Sequence, residues 1–349
     1  MPPDPTVVQG SYFRDLMDQP AALSATLAGL EASPGLREMA RRLRHGEFQR
    51  VVLTGMGSSY HALHPLNLEL INHRVTSFME ETSELVYYKS RFFDPRTLII
   101  AVSQSGRSAE IVRLLEVNAG RAGILAVTNT PDSPLARNAG AMVLSHAGSE
   151  FSVSCKTYVT ALAALKWLGD LLCANDLETA KSEVAGAARA AEQYQCRWED
   201  HVSSLTAKLR DVRHLFLVGR GASMAAVGTG GLVVKESDHF PTEGMSCAAF
   251  RHGPFEMLSP DTFVLVFAGD ERTRSLNAGL VRDVVAQGAR AELVAEDAPS
   301  GVFRLPAAPA AVRPILEILP VQMITLALAA LAGREAGRFE RASKITTVE

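Results

Sequence analysis

A segment rich in hydroxyl groups, residues 103–108 (SQSGRS, hereafter the serine loop), follows an apolar run and precedes a helical pattern. Its three serines and its glutamine carry donors that can rotate toward an anion. A loop that leads from a parallel strand into a helix is where open α/β sheets bind ligands, and the helix start adds unpaired N–H groups. The group that suits these donors best is a phosphate monoester. The competing interpretation is that Ser105 or Ser108 only caps the helix.

A second strand-to-helix turn, residues 55–59 (GMGSS, hereafter the glycine turn), could also approach a ligand. Gly57 has no side chain to hold the backbone away from it. The turn has two glycines of a dinucleotide-binding fingerprint, but Tyr60 stands where the third would be. The spacing therefore disfavours a nucleotide.

Several residues could do acid–base or metal chemistry but are ambiguous on their own. His252 precedes Gly-Pro, so we expect it in a turn from which it can project into a cleft. Taken alone, such a histidine or a glutamate like Glu236 is more often a solvated surface group.

The segment after Lys344 alternates apolar and hydroxyl residues, which favours a tail tucked against the protein. His61 and His64 could share a metal, but a solvated helix face is the favoured interpretation.

The elements that must position these residues alternate between apolar runs and helical patterns. The predicted strands are residues 50–54, 97–102, 123–127 and 142–144. One helix is predicted over residues 60–72. Continuous apolar strands that alternate with helices indicate a parallel sheet covered on both faces. The predicted fold class is α/β, with three layers in a flavodoxin-like arrangement.

The pattern repeats in the second half of the chain. At an offset of roughly 165 residues, segments 215–223, 262–267 and 291–294 resemble segments 51–59, 97–102 and 123–127. Three matches in the same order predict a duplicated domain. The halves differ at the position of the serine loop, because residues 268–271 (AGDE) carry two carboxylates that would repel a phosphate. We therefore predict one phosphate cradle per chain, in the first half.

The remaining segments are predicted to be mostly helical. A helical stretch covers about residues 157–209 with a break at 173–176, and another helix covers 221–238 before a loop at 241–249. The apolar stretch 314–333 contains a glutamate, a proline and a glutamine. Since these would sit in hydrocarbon, a buried core helix is favoured over a membrane span.

Composition limits the functional class. The 349 residues are 47% hydrophobic and 21% charged, which is an ordinary globular balance. The net charge of −3 gives no electrostatic support for nucleic-acid binding, so an anionic substrate must be held locally. The four cysteines show no CxxC spacing and are predicted to be reduced thiols. No signal peptide is predicted at residues 1–10, and a cytoplasmic location is expected.

The motifs resemble those of the sugar isomerase (SIS) domain family, in particular the tandem-SIS isomerase portion of glucosamine-6-phosphate synthase and its stand-alone relatives. The matching segments are GSSY at 57–60, SQSG at 103–106, AGSE at 147–150, GRG at 219–221, VKE at 234–236, RHGP at 251–254 and the terminal Lys344 before TVE. SQSG alone marks only the family, whereas SQSG with HGP and the terminal lysine in this order is a strong signature.

The resemblance implies roles for individual residues. It implies that Glu236 moves a proton between C1 and C2, that His252 opens the sugar ring, and that Lys344 lies near the C2 oxygen or a Schiff base. The substrate-binding residues that it implies are Ser58, Ser59, Ser103, Gln104, Ser105, Ser108, Glu150 and Ser343. It also implies a homodimer in which His252 acts from the neighbouring subunit, and neither a metal nor another cofactor.

The function that the resemblance implies is a phosphosugar aldose–ketose isomerase or deaminase. Glucosamine 6-phosphate or fructose 6-phosphate would react through an enediol or enolamine intermediate. Two alternatives stay open: a deglycase of phosphorylated sugar–amino-acid adducts, and a phosphosugar sensor without turnover.

The sequence also departs from the family pattern. No glutaminase domain is expected before residue 1, FERA at 339–342 replaces the usual Pro-Arg-Asn-Leu, and Lys156-Thr157 reverses a familiar Thr-Lys pair. The predicted domains are an N-terminal helical segment (1–45), two SIS domains (46–195 and 196–340) and a tail that closes the active site (341–349).

Overall fold

A computed structural model describes residues 8–341 and 343–346. Contacts within the chain divide it into two compact units. The first-sheet unit comprises Ala21–Glu150, Lys156–Ala185 and the described residues from Arg341 onward. The second-sheet unit comprises the described residues up to Pro20, Phe151–Cys155 and Gly186–Glu340. The domain limits expected from the sequence stay a prediction.

The first-sheet unit is built on five parallel strands. They are β1 (Arg50–Gly55), β2 (Ser77–Glu81), β3 (Thr97–Val102), β4 (Gly123–Thr128) and β5 (Ala141–Leu144). The strand order in the sheet is β2-β1-β3-β4-β5. All six residues of β3 are buried, as expected for a central strand covered on both faces.

Sixteen α-helices lie in the part of the chain that the structure describes. In chain order they are α1 (Ser11–Met17), α2 (Gln19–Gly29), α3 (Pro34–Arg44), α4 (Gly57–His61), α5 (His64–Asn72), α6 (Thr82–Tyr88), α7 (Ala109–Asn118), α8 (Pro134–Asn138), α9 (Lys156–Cys173), α10 (Leu177–Gln195), α11 (Trp198–Leu209), α12 (Met224–Asp238), α13 (Cys247–Arg251), α14 (Arg274–Ala286), α15 (Arg313–Glu317) and α16 (Leu319–Ala332). Local sequence explains where several begin. Helix α3, for example, starts after Ser33, whose hydroxyl accepts a hydrogen bond from Leu36 N (3.3 Å).

The prediction of one helix over residues 60–72 is wrong, because the structure breaks it between α4 and α5. The cause is Pro65 in the first turn of α5, a position where a proline is tolerated although it cannot lie inside a continuous helix. The break places His61 and His64 on two different helices, with their rings stacked at a centroid distance of 6.4 Å. Both are half-buried, and burial lowers the pKa of His64 to about 4.

The second-sheet unit repeats the topology of the first. Its parallel strands are β6 (His214–Gly219), β7 (Thr242–Ser246), β8 (Thr262–Phe267) and β9 (Arg290–Val294). Their order in the sheet is β7-β6-β8-β9. These four strands correspond in order to β2, β1, β3 and β4 of the first sheet. The predicted duplication of a parallel α/β sheet is therefore confirmed.

Strands β2 and β7 are missing from the sequence prediction, and the loop predicted over residues 241–249 is wrong. That segment forms β7 and most of α13. Both missed strands lie at an edge of their sheet and are only partly buried. Their sequences, SFMEE and TEGMS, lack the apolar run that marks a central strand.

Two predictions about the long helices are confirmed. The predicted break separates α9 from α10, where Ala174 adopts a left-handed φ of 61° and Asp176 accepts a hydrogen bond from Thr179 N (3.0 Å). The segment Arg313–Ala332 is long and apolar enough to cross a membrane by length and composition alone. However, 89% of its most apolar window is buried within the protein, as expected for a core helix.

Candidate active site

The serine loop and the glycine turn meet at one edge of the first sheet. Strands β1 and β3 are neighbours, and Gly55 at the end of β1 pairs with Val102 at the end of β3. In a sheet of this order the connections from β1 and β3 leave toward opposite faces, which opens a crevice at the carboxyl ends of the two strands. The topology therefore brings the two loops to the place where this fold binds ligands.

The serine loop is fixed against the end of β4. Ser103 N donates to Val127 O (3.0 Å), and Ser103 Oγ accepts a hydrogen bond from Gly106 N (3.1 Å). The carbonyl oxygen of Gln104 accepts three hydrogen bonds, from Asn129 N, Thr128 Oγ1 and Thr130 Oγ1. Because these contacts set the backbone before any ligand arrives, binding costs little further ordering.

The hydroxyl groups of the loop differ in their surroundings. Ser105 is buried, and its Oγ accepts a hydrogen bond from Arg107 N (3.4 Å). Ser108 is the N-cap residue of α7, but its side chain makes no capping hydrogen bond. The capping interpretation therefore fails for Ser108, whose hydroxyl can turn toward an anion at the start of α7.

Gly106 gives a test of this loop geometry. Its φ is 58°, and a Cβ atom there would lie 2.2 Å from Ser133 Oγ. Gly120 has a similar φ of 77° with open space around it. We expect Gly120→Ala to cost about 1 kcal/mol of unfolding free energy from backbone strain alone. Gly106→Ala should cost more and should weaken phosphate binding at least about tenfold, measured by urea unfolding and by titration with inorganic phosphate. Equal effects of the two variants on phosphate binding would contradict this role.

The C-terminal tail lies at the start of α7, directly after the serine loop. Ala109 N donates to Thr346 O (3.1 Å). Lys344 forms an ion pair with Glu150, whose side chain is fully buried. The same carboxylate accepts hydrogen bonds from Thr157 N (3.0 Å) and Thr157 Oγ1 (2.7 Å). The prediction of a tucked tail holds for residues 343–346, whereas 347–349 lie outside the described residues.

Among the predicted binding residues of the tail region, Ser343 is the most exposed. Its Oγ donates to Ile345 O (2.8 Å) within the tail itself. Glu150, by contrast, is fully engaged with Lys344 and Thr157, so it serves as an anchor for the tail. Thr157 had no predicted role, because nothing in its sequence surroundings shows that it meets Glu150.

The glycine turn supplies the second wall of the crevice. Gly57, with a φ of 52°, begins α4, and Ser58 and Ser59 follow it half-buried in that helix. Tyr60 comes next, and burial together with the charges of Glu80 and Glu81 raises the pKa of its phenol. The substrate-binding roles of Ser58 and Ser59 stay predictions.

Glu236 and His252 both belong to the second-sheet unit. Glu236 is half-buried in the last turn of α12, the helix that returns the chain to the amino end of β7. His252 is exposed and follows α13, on the crossover that leaves the carboxyl end of β7. Within this unit Glu236 therefore lies toward the amino end of β7, and His252 lies toward its carboxyl end. A complete site that uses both stays a prediction.

The second sheet has its own crevice at the corresponding edge. A cavity of about 310 Å³ lies beyond β8 and β9, and Gly269, Arg274 and Glu317 are among its lining residues. Glu317 is buried, and Ser223 Oγ donates to its Oε1 (2.8 Å). Burial raises the pKa of Glu317 to about 7. In the sequence, Glu317 stands out only as a carboxylate within an apolar stretch.

Glu317 should make the protein less stable as the pH rises. Between about pH 4.5 and pH 7 the folded state holds a proton that the unfolded chain releases, so the unfolding free energy falls as the pH rises through this window. Glu317→Gln removes this dependence and should raise the unfolding free energy at pH 8 by on the order of 2–3 kcal/mol, with a smaller gain at pH 5. Urea unfolding at both pH values measures the difference. The exposed Glu256→Gln is the control, and a pH profile unchanged by Glu317→Gln would contradict the assignment.

Comparison with known families identifies both halves of the chain. Residues 47–169 and 208–332 each match the family model of the SIS domain. The two matches contain the first sheet and the second sheet, respectively. They also contain the serine loop, the glycine turn, Glu236 and His252, whereas Lys344 lies beyond them.

Individual proteins show the same relationship. The chain is 28% identical over 351 residues to the glutamine–fructose-6-phosphate aminotransferase (isomerizing) of Pyrococcus horikoshii, covering 97% of this chain and 57% of that protein. The chain thus spans just over half the length of that relative. Its structure resembles the C-terminal domain of glucosamine-fructose-6-phosphate aminotransferase from Francisella tularensis (TM-score 0.82, 19% identity, 95% and 98% of the two chains). It also resembles glucosamine-6-phosphate deaminase from Thermotoga maritima (TM-score 0.78, 18% identity, 97% and 100%). At these identities the structural likeness establishes the fold alone.

Proposed function

The chain belongs to the SIS domain family, and from that premise we propose that it interconverts the aldose and ketose forms of a phosphosugar. The observation that carries the proposal is the serine loop at the carboxyl edge of the first sheet, with the Lys344 tail held against the start of α7. Such a site offers hydroxyl and N–H donors for a phosphate and an ammonium group for a developing oxyanion.

In the proposed reaction the phosphate anchors the substrate in the serine loop. His252 assists ring opening by general acid–base transfer, which yields the open-chain carbonyl form. Glu236 then removes the carbon-bound proton next to the carbonyl or imine, and the protonated carboxyl, after partial exchange with solvent, protonates the adjacent carbon. The intermediate is an enediol for a sugar and an enolamine for an amino-sugar.

The contact between Lys344 and Glu150 supports an electrostatic role for Lys344. An ammonium ion paired with a buried carboxylate can donate to an oxyanion at C2. It cannot attack a carbonyl until it has lost a proton, so a Schiff base requires the ion pair to open first. We therefore favour oxyanion stabilisation over imine formation.

The proposed substrates are glucosamine 6-phosphate and fructose 6-phosphate. Support comes from two names: one relative is a glutamine–fructose-6-phosphate aminotransferase, and one structural neighbour is a glucosamine-6-phosphate deaminase. With an amino-sugar substrate, hydrolysis of the ketose imine would release ammonia and leave a ketose phosphate. A panel of phosphosugars with coupled assays for ammonia and for the isomer tests this. Turnover of one panel member supports the enzyme, and tight binding of several without turnover of any supports a sensor.

We further propose that the enzyme is a homodimer in which His252 acts on the substrate of its neighbour. Glu236 precedes the amino end of β7, whereas His252 follows the helix after its carboxyl end. This separation supports a site in which the two residues come from different subunits. Mixing inactive His252→Ala and Glu236→Gln subunits should restore up to about one quarter of the activity, since random pairing gives half mixed dimers with one intact site each. No recovery in verified mixed dimers would count against a shared site.

A further inference from the structure

Three potential metal ligands meet in the first-sheet unit, away from the serine loop. Glu69 lies on α5, His73 directly follows that helix, and Cys173 is the last residue of α9. One ligand atom from each of them lies within 4.8 Å of the other two. Bonds to zinc of about 2.0–2.3 Å place tetrahedral ligands roughly 3.3–3.8 Å apart. Closing around an ion therefore needs shifts of only about 1 Å from side chains that are half-buried or exposed.

Neighbouring groups already orient two of these side chains. His73 Nδ1 lies 3.0 Å from Glu69 O and 3.4 Å from Glu69 Oε1, so the imidazole ring already faces the carboxylate. Asn175 Nδ2 donates to Glu69 Oε1 (3.1 Å) and to Asp170 Oδ1 (3.0 Å), which fixes one oxygen of the carboxylate. Metal-binding histidines and carboxylates in proteins are commonly held by such outer hydrogen bonds.

Both acidic and basic side chains surround the cluster. Asp170 pairs with Lys166, and Arg44 donates to the carbonyl oxygen of Leu171 (2.9 Å). The carboxylate of Glu69 and the thiolate of Cys173 would supply two negative charges to a divalent ion, with His73 neutral. Binding would thus yield a neutral complex, and the thiol proton would pass to solvent.

The cluster also has an open side. His73 and Cys173 line a cavity of about 470 Å³ together with Gln49, Arg74 and Thr76, close to where β1 and β2 begin. This is the amino edge of the first sheet, opposite the serine loop. The cavity leaves room for water as a fourth ligand, and the position makes the ion a link between α5 and α9 rather than part of the active site.

We propose that Glu69, His73 and Cys173 bind a zinc ion that links the carboxyl ends of α5 and α9. The mixture of one carboxylate, one imidazole and one thiolate suits zinc, whereas magnesium and calcium prefer oxygen ligands alone. Sequence patterns do not reveal the cluster, because Cys173 lies far along the chain from the other two residues.

Titration of the metal-free protein with Co²⁺ tests the site, since cobalt bound to a thiolate gives a charge-transfer absorption band. We expect one Co²⁺ per chain with this band, and displacement of Co²⁺ by Zn²⁺. Cys173→Ser should abolish the band, and His73→Asn should weaken Co²⁺ binding at least about tenfold. Cys196→Ser, which removes an exposed cysteine outside the cluster, should leave both unchanged.

Thermal unfolding gives a second readout that does not depend on the cobalt spectrum. Zn²⁺ should raise the melting temperature of the wild type and of Cys196→Ser, but not of Cys173→Ser, because only a folded site gains from the ion. Circular dichroism verifies that each variant is folded. The proposal is overturned if the wild type binds no Co²⁺, if Cys173→Ser retains the band, or if Zn²⁺ stabilises Cys173→Ser as much as the wild type.

Discussion

Glu236→Gln should lower the turnover number of phosphosugar isomerisation by about 10²–10⁴-fold, because an amide cannot accept the proton removed from carbon. Glutamine keeps the size and the hydrogen-bonding capacity of the side chain, which is half-buried near the end of α12. The protein should therefore stay folded. KM should change little, since the proposed phosphate contacts lie in the serine loop. Steady-state kinetics on the best substrate of the panel measure both quantities.

The control for this variant is Glu243→Gln, which neutralises an exposed carboxylate on β7 of the same unit. Its turnover number should stay within about twofold of the wild type. If Glu236→Gln kept the turnover of the wild type while Glu243→Gln lost it, the assignment of the base would be wrong.

Lys344→Met should lower the turnover number by about 10²–10³-fold, the usual cost of removing one donor to an oxyanion. The methionine leaves the Glu150 carboxylate with the two hydrogen bonds from Thr157. Glu150→Gln should cause part of the same loss, because it removes the charge that holds Lys344 in position. In this account Glu150 is a positioning residue and Lys344 acts on the substrate.

A matched control exists in the second-sheet unit, where Lys208 pairs with Glu292 at 2.5 Å. Lys208→Met should leave the turnover number within about twofold of the wild type, since this half-buried pair has no part in the proposed reaction. A double variant of Lys344 and Glu150 should lose no more activity than Lys344→Met alone if the two act as a unit. Fully additive losses would show that Glu150 has a separate role.

The central strands of both sheets could be predicted from the sequence, whereas the edge strands β2 and β7 could not. Central strands such as β3 and β8 are continuous apolar runs. Because the two halves repeat, a strand predicted in one half strengthened the prediction of its counterpart in the other. The edge strands β2 and β7 escaped prediction because their pairing with β1 and β6 is set by the fold and not by local apolar content. The sequence shows Pro65, but it does not show that this proline lies in the first turn of a new helix and not inside a continuous one.

In the candidate site, too, local residue patterns could be predicted from the sequence, whereas long-range contacts could not. The serine loop could be identified from residue types, because a phosphate needs donors at a strand-to-helix turn. The contact of Lys344 with Glu150, and of Glu150 with Thr157, joins residues from separate parts of the chain. Only the fold brings them together. The same is true of Glu69 and Cys173 on neighbouring helices.

Exchange of the transferred proton with solvent tests whether the protein isomerises phosphosugars. The wild-type protein is incubated with fructose 6-phosphate and with glucosamine 6-phosphate in D₂O, and the products are followed by proton NMR. We predict interconversion of aldose and ketose with deuterium incorporated at C1 or C2, and the loss of both in Glu236→Gln. Saturable binding of both phosphosugars with neither conversion nor deuterium incorporation would contradict an isomerase function.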